Sequence, residues 1–251
     1  MHDEELGRQI MKGLYKERMI LTWYRDRPAG WTLVSGLYSP IFINLRLICS
    51  ADTELYRLVG KAMAKMMKRS GFVPDGRHRA VGIAMAGIPL ANAATLEGGV
   101  PSLYTRKLPE EVKTKEELEN YMRAHGQKSL VEGDLRDGDR LAIIDDLVTK
   151  FDSKLLAKSQ IEQEAARRNI SDVVVSDVFV LLDREQGAAE AARNAGVRLH
   201  SLIPFRSKGL EWLRDQISDV EYDTIKDYLD DPQKYQSDEA RERLQSMAPK
   251  E

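Results

Sequence analysis

The chain has 251 residues, 31% of them charged and 42% hydrophobic, enough for one large domain or one domain with appendages. Basic residues (38) against acidic residues (40) leave a net charge of −2, which supplies no global positive field for nucleic acid, and no run of about 18 apolar residues offers a membrane span. The single cysteine, Cys49, cannot form an intrachain disulfide, and the acidic opening Met1-His2-Asp3-Glu4-Glu5 leads into no apolar signal-peptide core, so a reducing, cytoplasmic setting is expected.

Leu6, Ile10, Leu14 and Tyr15 recur at helical spacing among charges and predict a helix over 3–25. Pro28-Ala29-Gly30 breaks it, and Ile41–Leu45 reads as a strand entered through Ser39-Pro40. Asp52 or Thr53 can cap a helix whose apolar face is Leu55, Leu58, Val59, Ala62 and Met66, ending near Gly71. From there strands and helices alternate. Ala80–Met85 is a short apolar run. Ile88–Glu97 is a helix opened by Gly87 with Pro89 in its first turn, where a missing N–H costs little. Ser102–Thr105 is a strand, Lys113–Tyr121 a helix within a charged stretch, and Leu141–Ile144 a buried strand ending in Asp145-Asp146. Ser153–Arg168 is a helix, Val173–Leu182 a strand, Gln186–Ala195 a helix and Val197–Ile203 a strand. This alternation predicts an α/β fold with a mostly parallel sheet flanked by helices. After residue 204, Leu210, Trp212, Leu213, Val220, Tyr222, Ile225 and Tyr228 suggest short helices, and the charged residues 236–251 are expected to fray. The expected organisation is a main domain over 1–205 and a helical appendage over 206–251.

The segment Leu141-Ala142-Ile143-Ile144-Asp145-Asp146-Leu147-Val148-Thr149 carries the strongest local signal. An apolar strand that brings two carboxylates to its C-terminal end puts them where open α/β sheets bind ligands. Adjacent strand carboxylates point to opposite faces, though a twist into a loop could let both reach ribose hydroxyls or metal-bound waters. Helix capping or loop salt bridges would also account for them.

Asp145-Asp146-Leu147-Val148-Thr149 followed by Ser153 resembles the phosphoribosyl pyrophosphate signature of type I phosphoribosyltransferases. Ser35–Arg46, read as Ser-Gly-Leu-Tyr-Ser-Pro-Ile-Phe-Ile-Asn-Leu-Arg, resembles the substrate-side entry segment of the orotate phosphoribosyltransferases. Gly87-Ile88-Pro89-Leu90-Ala91 is similar to their loop beside the pyrophosphate. Arg106-Lys107, then His125-Gly126 and Leu130-Val131-Glu132-Gly133, resemble their mobile catalytic loop and its return strand. Leu181–Gly187 and Arg198-Leu199-His200-Ser201 resemble the base-recognition segment and its continuation. The ordered matches run from about Leu33 to Phe205, and the chain is identified as a member of that family, closest in form to the phosphoribosyltransferase half of the bifunctional enzyme that makes uridine monophosphate.

The resemblance implies transfer of ribose 5-phosphate from phosphoribosyl pyrophosphate to orotate, by a homodimer, with Mg²⁺ carried in on the substrate and no metal held by the protein directly. Asp145 and Asp146 would hold the ribose hydroxyls, and Thr149, Lys150, Asp152 and Ser153 would surround the 5-phosphate. Lys107, Arg123 and His125 would act on the leaving pyrophosphate, with Arg106 among the donor-binding residues. Arg184 would offer an arginine fork to planar orotate, and Phe42 a flat wall for its ring. An ion pair with Asp183 or Glu185 would equally occupy Arg184, and a core role would equally suit Phe42. Departures from the family pattern stand at four places. Phe151 and Asp152 occupy the phosphate loop where small residues, usually glycine, allow left-handed torsions. Val34 and Ala86 stand where lysines occur, and the catalytic loop is lengthened over Leu108–Met122. Phe151, Asp152 and Val34 keep open a non-catalytic ligand sensor on the same fold, and because Arg184 and Phe42 do not uniquely specify orotate, transfer to another base stays open as well.

Overall fold

The alternating segments form a six-stranded sheet in a computed structural model that describes residues 3–33, 35–125 and 128–249. Val34, Gly126 and the side chain of His125, all named above, lie outside the described residues. In chain order the elements of this unit, which covers Tyr56–Pro204, are α1 (Thr53–Arg69, which begins just before it), β1 (His78–Gly82), α2 (Gly87–Gly98), β2 (Ser102–Thr105), α3 (Lys115–His125), β3 (Val131–Glu132), β4 (Arg140–Val148), α4 (Asp152–Arg167), β5 (Val174–Asp183), α5 (Ala188–Asn194) and β6 (Arg198–Pro204). The strand order is β6-β5-β4-β1-β2-β3, parallel throughout except for the antiparallel edge strand β3. The order reverses between β1 and β4: the chain first builds outward through β2, then returns to β4 on the other side of β1. In open α/β sheets the crevice beyond the carboxyl ends at such a reversal is where ligands bind.

Strand alternation assigns the two faces. Leu141 and Ile143 join Val81, Phe151, Ala157, Ile161 and Val180 in one buried apolar cluster, whereas Ala142 and Ile144, equally buried, stand on the other face. Helix α4 delivers Ala157, Ile161 and Ala165 to the first cluster, at the spacing one helical stripe requires. Helix α2 lies over β1 and β4, where Gly60 of α1 allows close approach: a Cβ there would stand 2.9 Å from the Ala93 carbonyl.

The remaining residues, up to Leu55 and from Phe205 onward, make a second compact unit, in which the C-terminal segment groups with the N-terminal one. The first helix stops at Lys16 instead of running to 25. The chain turns through a left-handed Arg18, and Ile20–Thr22 pairs antiparallel with Ile41–Ile43. The charged tail is ordered as a helix over Asp238–Met247, capped by the Ser237 side chain. It buries Leu244, whose carbonyl accepts the Trp23 indole N–H at 3.0 Å. Gln236 brackets Tyr38, accepting from its N–H at 2.8 Å and donating to its carbonyl at 3.2 Å. No helix among the described residues is long and apolar enough to cross a membrane.

Candidate active site

Three loops converge at the carboxyl ends of β1, β4 and β5. The Ile83–Ala86 loop, which contains a cis peptide at Ala84–Met85, is bonded to β4 through Ile83 N–H to the Ile144 carbonyl at 3.0 Å. Gly87 then passes so close to β4 that a Cβ would sit 2.2 Å from the Ile144 oxygen, so only glycine fits. The segment after β5 is tied to the end of β4 by Arg184 N–H to the Val148 carbonyl at 3.0 Å.

Strand β4 continues to Val148, past the end expected at Ile144, so Asp145 and Asp146 lie inside a paired strand and diverge. Asp145 falls on the α4 face and is buried. Its Oδ2 accepts from the Lys154 ammonium at 2.7 Å and its Oδ1 from the Asp146 N–H at 2.9 Å. Asp146, on the other face, is half-buried. Burial first, then the neighbouring charge of Asp145, push its carboxyl up to about 7, against the lowering influence of Lys154. Lys154 is 4% exposed along its side chain. Nothing in the sequence singled it out, because a lysine two residues into a charged helix reads as solvated.

Thr149 and Lys150 lead into α4, with Lys150 exposed and Thr149 half-buried. Phe151 adopts the left-handed conformation at φ +87, as the loop's shape demands, and its ring is 2% exposed within the apolar cluster. The aromatic ring therefore points into the core and leaves the loop's outer side clear. Asp152 lies in the first turn of α4, exposed, and the Phe151 carbonyl accepts from Lys154 and Leu155 N–H at 2.9 and 3.2 Å. The leading N–H groups of a helix have no intrahelical acceptor, so this end of α4 presents donors beside Thr149 and Ser153.

Arg184 is half-buried, and its Nε is buried with no hydrogen-bond partner among the described residues. An orphaned buried donor costs about 1–3 kcal/mol, which a ligand acceptor would recover. Beside it, burial first and then Glu185 raise the Asp183 carboxyl above its ordinary range, while the Glu185 N–H at 2.7 Å opposes this. Arg106 and Lys107 leave β2 exposed. Arg106 is held by its N–H to the Leu130 carbonyl at 2.9 Å, by Gln160 of α4 donating to its carbonyl at 3.0 Å, and by a 3.4 Å ion pair with Glu132. Arg123 is exposed on α3 and donates to Asn120 at 2.8 Å. Phe42 belongs to the other unit, stacked on Trp31 at 5.8 Å. Among the described residues, no group of three or more His, Cys, Asp or Glu side chains could hold a metal ion.

No protein-family model matches the chain. It is 34% identical over 175 residues to a uridine 5'-monophosphate synthase of Caenorhabditis elegans, spanning 70% of this chain and 31% of that one. It is 28% identical over 171 residues to an orotate phosphoribosyltransferase of Methanocaldococcus jannaschii, spanning 68% of this chain and 82% of that one. Among solved structures, the UMP synthase of Leishmania donovani aligns with a TM-score of 0.67 at 25% identity, covering 89% of this chain and 42% of that one. The chain thus spans less than half the length of these two synthases.

Proposed function

We propose that this chain is an orotate phosphoribosyltransferase, transferring ribose 5-phosphate from phosphoribosyl pyrophosphate to orotate and giving orotidine 5-monophosphate and pyrophosphate. One observation carries the reading: a carboxylate (Asp146) near the end of β4, the donor-rich start of α4 and an arginine with an orphaned Nε (Arg184) just after β5 all stand at the carboxyl ends of adjacent strands beside the reversal of strand order.

Each group has a task its chemistry suits. Asp146 accepts from the ribose hydroxyls. The leading N–H groups of α4, with Thr149, Ser153 and the Lys150 ammonium, receive the 5-phosphate as helix N-termini receive anions. Asp152, exposed in the same turn, is a like charge, and Lys150, also exposed, offsets it. Arg184 pairs its guanidinium with a planar anionic base. Departure of pyrophosphate builds negative charge on the leaving group, and Arg106, Lys107 and Arg123 supply the opposing cations, with His125 as the proton or hydrogen-bond donor. The chemistry supplied by Mg²⁺, carried in on the diphosphate, is neutralisation of that charge through hard oxygen contacts, and the carboxylate of Asp146 is a donor of the right class.

A homodimer is part of the same reading. Ile88, Asn92 and Leu96 follow one row of α2, and Asn92 accepts from Ser102 of β2 at 3.1 Å, which brings that row beside the face holding Tyr104. Leu96 is 86% exposed there and Tyr104 42%. Apolar groups of that size on one face are suited to a second copy.

The exposed Asp152 carboxylate beside an anion site favours one alternative, a ligand sensor without turnover. Pyrophosphate release from phosphoribosyl pyrophosphate with Mg²⁺ decides, comparing orotate with uracil, hypoxanthine and adenine. Turnover with orotate alone is the expected result. Saturable binding with no turnover would establish the sensor, and turnover with another base would reassign the substrate.

A further inference from the structure

Lys154 is a buried ammonium, and burying one costs several kcal/mol unless it is paired and fully hydrogen-bonded. Its surroundings meet that condition. An ammonium has three N–H donors, and three acceptors surround this one: Asp145 Oδ2 at 2.7 Å, the Leu147 carbonyl, and Ser153 Oγ at 3.2 Å. Leu147 lies just before the Thr149–Ser153 loop and Ser153 closes it. The ammonium therefore ties the two ends of the loop together.

Two consequences follow for the donor site. Both oxygens of Asp145 are engaged inside the protein, one by Lys154 and one by the Asp146 N–H, so Asp146 is the carboxylate left for a ribose diol. Ser153 Oγ accepts from Lys154, so its own O–H is available to donate toward an anion at the start of α4. The buried Lys154–Asp145 ion pair also lies beneath the start of α4, in surroundings where screening by solvent is weak.

The geometry points to Lys154 as a positioning residue for phosphoribosyl pyrophosphate: from beneath the loop it sets the Asp145 carboxylate, the Ser153 hydroxyl and the loop's two ends, without touching substrate. This rests on the reading of the site given above.

The test is calorimetric titration of the full chain with phosphoribosyl pyrophosphate and Mg²⁺, for wild type, Lys154→Met, Lys154→Gln and Lys154→Arg, with orotate turnover measured in parallel. Loss of the charge should weaken donor binding at least about tenfold, equivalent to about 1.4 kcal/mol. KM for phosphoribosyl pyrophosphate should rise while KM for orotate stays, and Lys154→Arg should recover part of the loss. A general structural defect would raise both KM values or lower stability alone. Should Lys154→Met not fold, Lys154→Gln and Lys154→Arg carry the same comparison. A folded variant that binds the donor as wild type does overturns the inference, whatever its turnover. Wild type that binds the donor without turnover refutes the proposed function and leaves this inference standing. Wild type that binds no donor refutes both.

Discussion

Replacing Phe151 by glycine sets two effects against each other, and their sizes predict which prevails. The residue sits at φ +87, a left-handed conformation that costs a non-glycine residue roughly 1–2 kcal/mol. Glycine removes that strain. It also removes a ring that is 2% exposed and packed in the cluster with Ile161 and Val180, and truncating a buried phenylalanine costs roughly 3–5 kcal/mol. The difference leaves Phe151→Gly about 1–4 kcal/mol less stable than wild type. Urea unfolding followed by circular dichroism measures this as a lowered midpoint, with Phe151→Leu falling between the two because it keeps most of the apolar contact and all of the strain. If Phe151→Gly proves as stable as wild type or more so, the ring is not an anchor and the account of the loop is wrong.

The remaining predictions concern charges. Asp146→Asn should reduce orotate turnover at least about 100-fold with no loss of thermal stability, since it deletes a carboxyl whose ionisation burial opposes; normal turnover would remove Asp146 from the site. Asp145→Asn should instead destabilise the protein by about 3–5 kcal/mol in the same urea assay, because it strands the Lys154 ammonium; an unchanged midpoint would contradict the buried pair. With the Asp146 carboxyl raised to about 7, its contribution to stability is fully present below the ordinary carboxylate range and is lost as pH rises through about 7. Donor affinity that needs the ionised form should climb over that same interval, and a calorimetric profile equally steep in Asp146→Asn would assign the pH dependence to another group. Burial alone would raise the Glu164 carboxyl, but Arg167, the Leu130 N–H and Arg168 overcome it and hold it down to about 2. Its stabilisation is present above the ordinary carboxylate range and lost as pH falls toward about 2, so Glu164→Gln should lower stability by roughly 2–4 kcal/mol at neutral pH and flatten the acid limb of a thermal-unfolding profile.

What the sequence disclosed follows from which forces leave periodic traces. Buried strands and amphipathic helices do, and the strand–helix alternation from β1 to β6 was legible for that reason. Short strands stabilised by distant partners do not. Ile20–Thr22 continues a helical pattern in the sequence and becomes a strand only because Ile41–Ile43 pairs with it. The end of β4 was misjudged because two carboxylates interrupt the apolar run, although Leu147 and Val148 resume it and pair with β5. In the tail, composition favoured fraying, and a single buried leucine with the Trp23 N–H on its carbonyl outweighs it. Lys154 and Glu164 left no trace at all. Both stand in a charged helix, and only the fold shows that one meets Asp145 and the other Ser129, Leu130, Arg167 and Arg168.

The departures at the phosphate loop gain a common meaning from their placement. A loop of glycines reaches the left-handed turn by backbone freedom and must lose that freedom on folding. Here the turn is fixed by side chains instead: the Phe151 ring is buried in the core below it, and the Lys154 ammonium spans its ends. Each feature taken alone is costly, the left-handed Phe151 through torsional strain and the buried Lys154 through desolvation. Together they hold one backbone path from Leu147 to Ser153 and leave the outer side of the loop clear. A loop constrained in this way would give up little conformational entropy on receiving a phosphate, so bulk at Phe151 does not count against the proposed donor site.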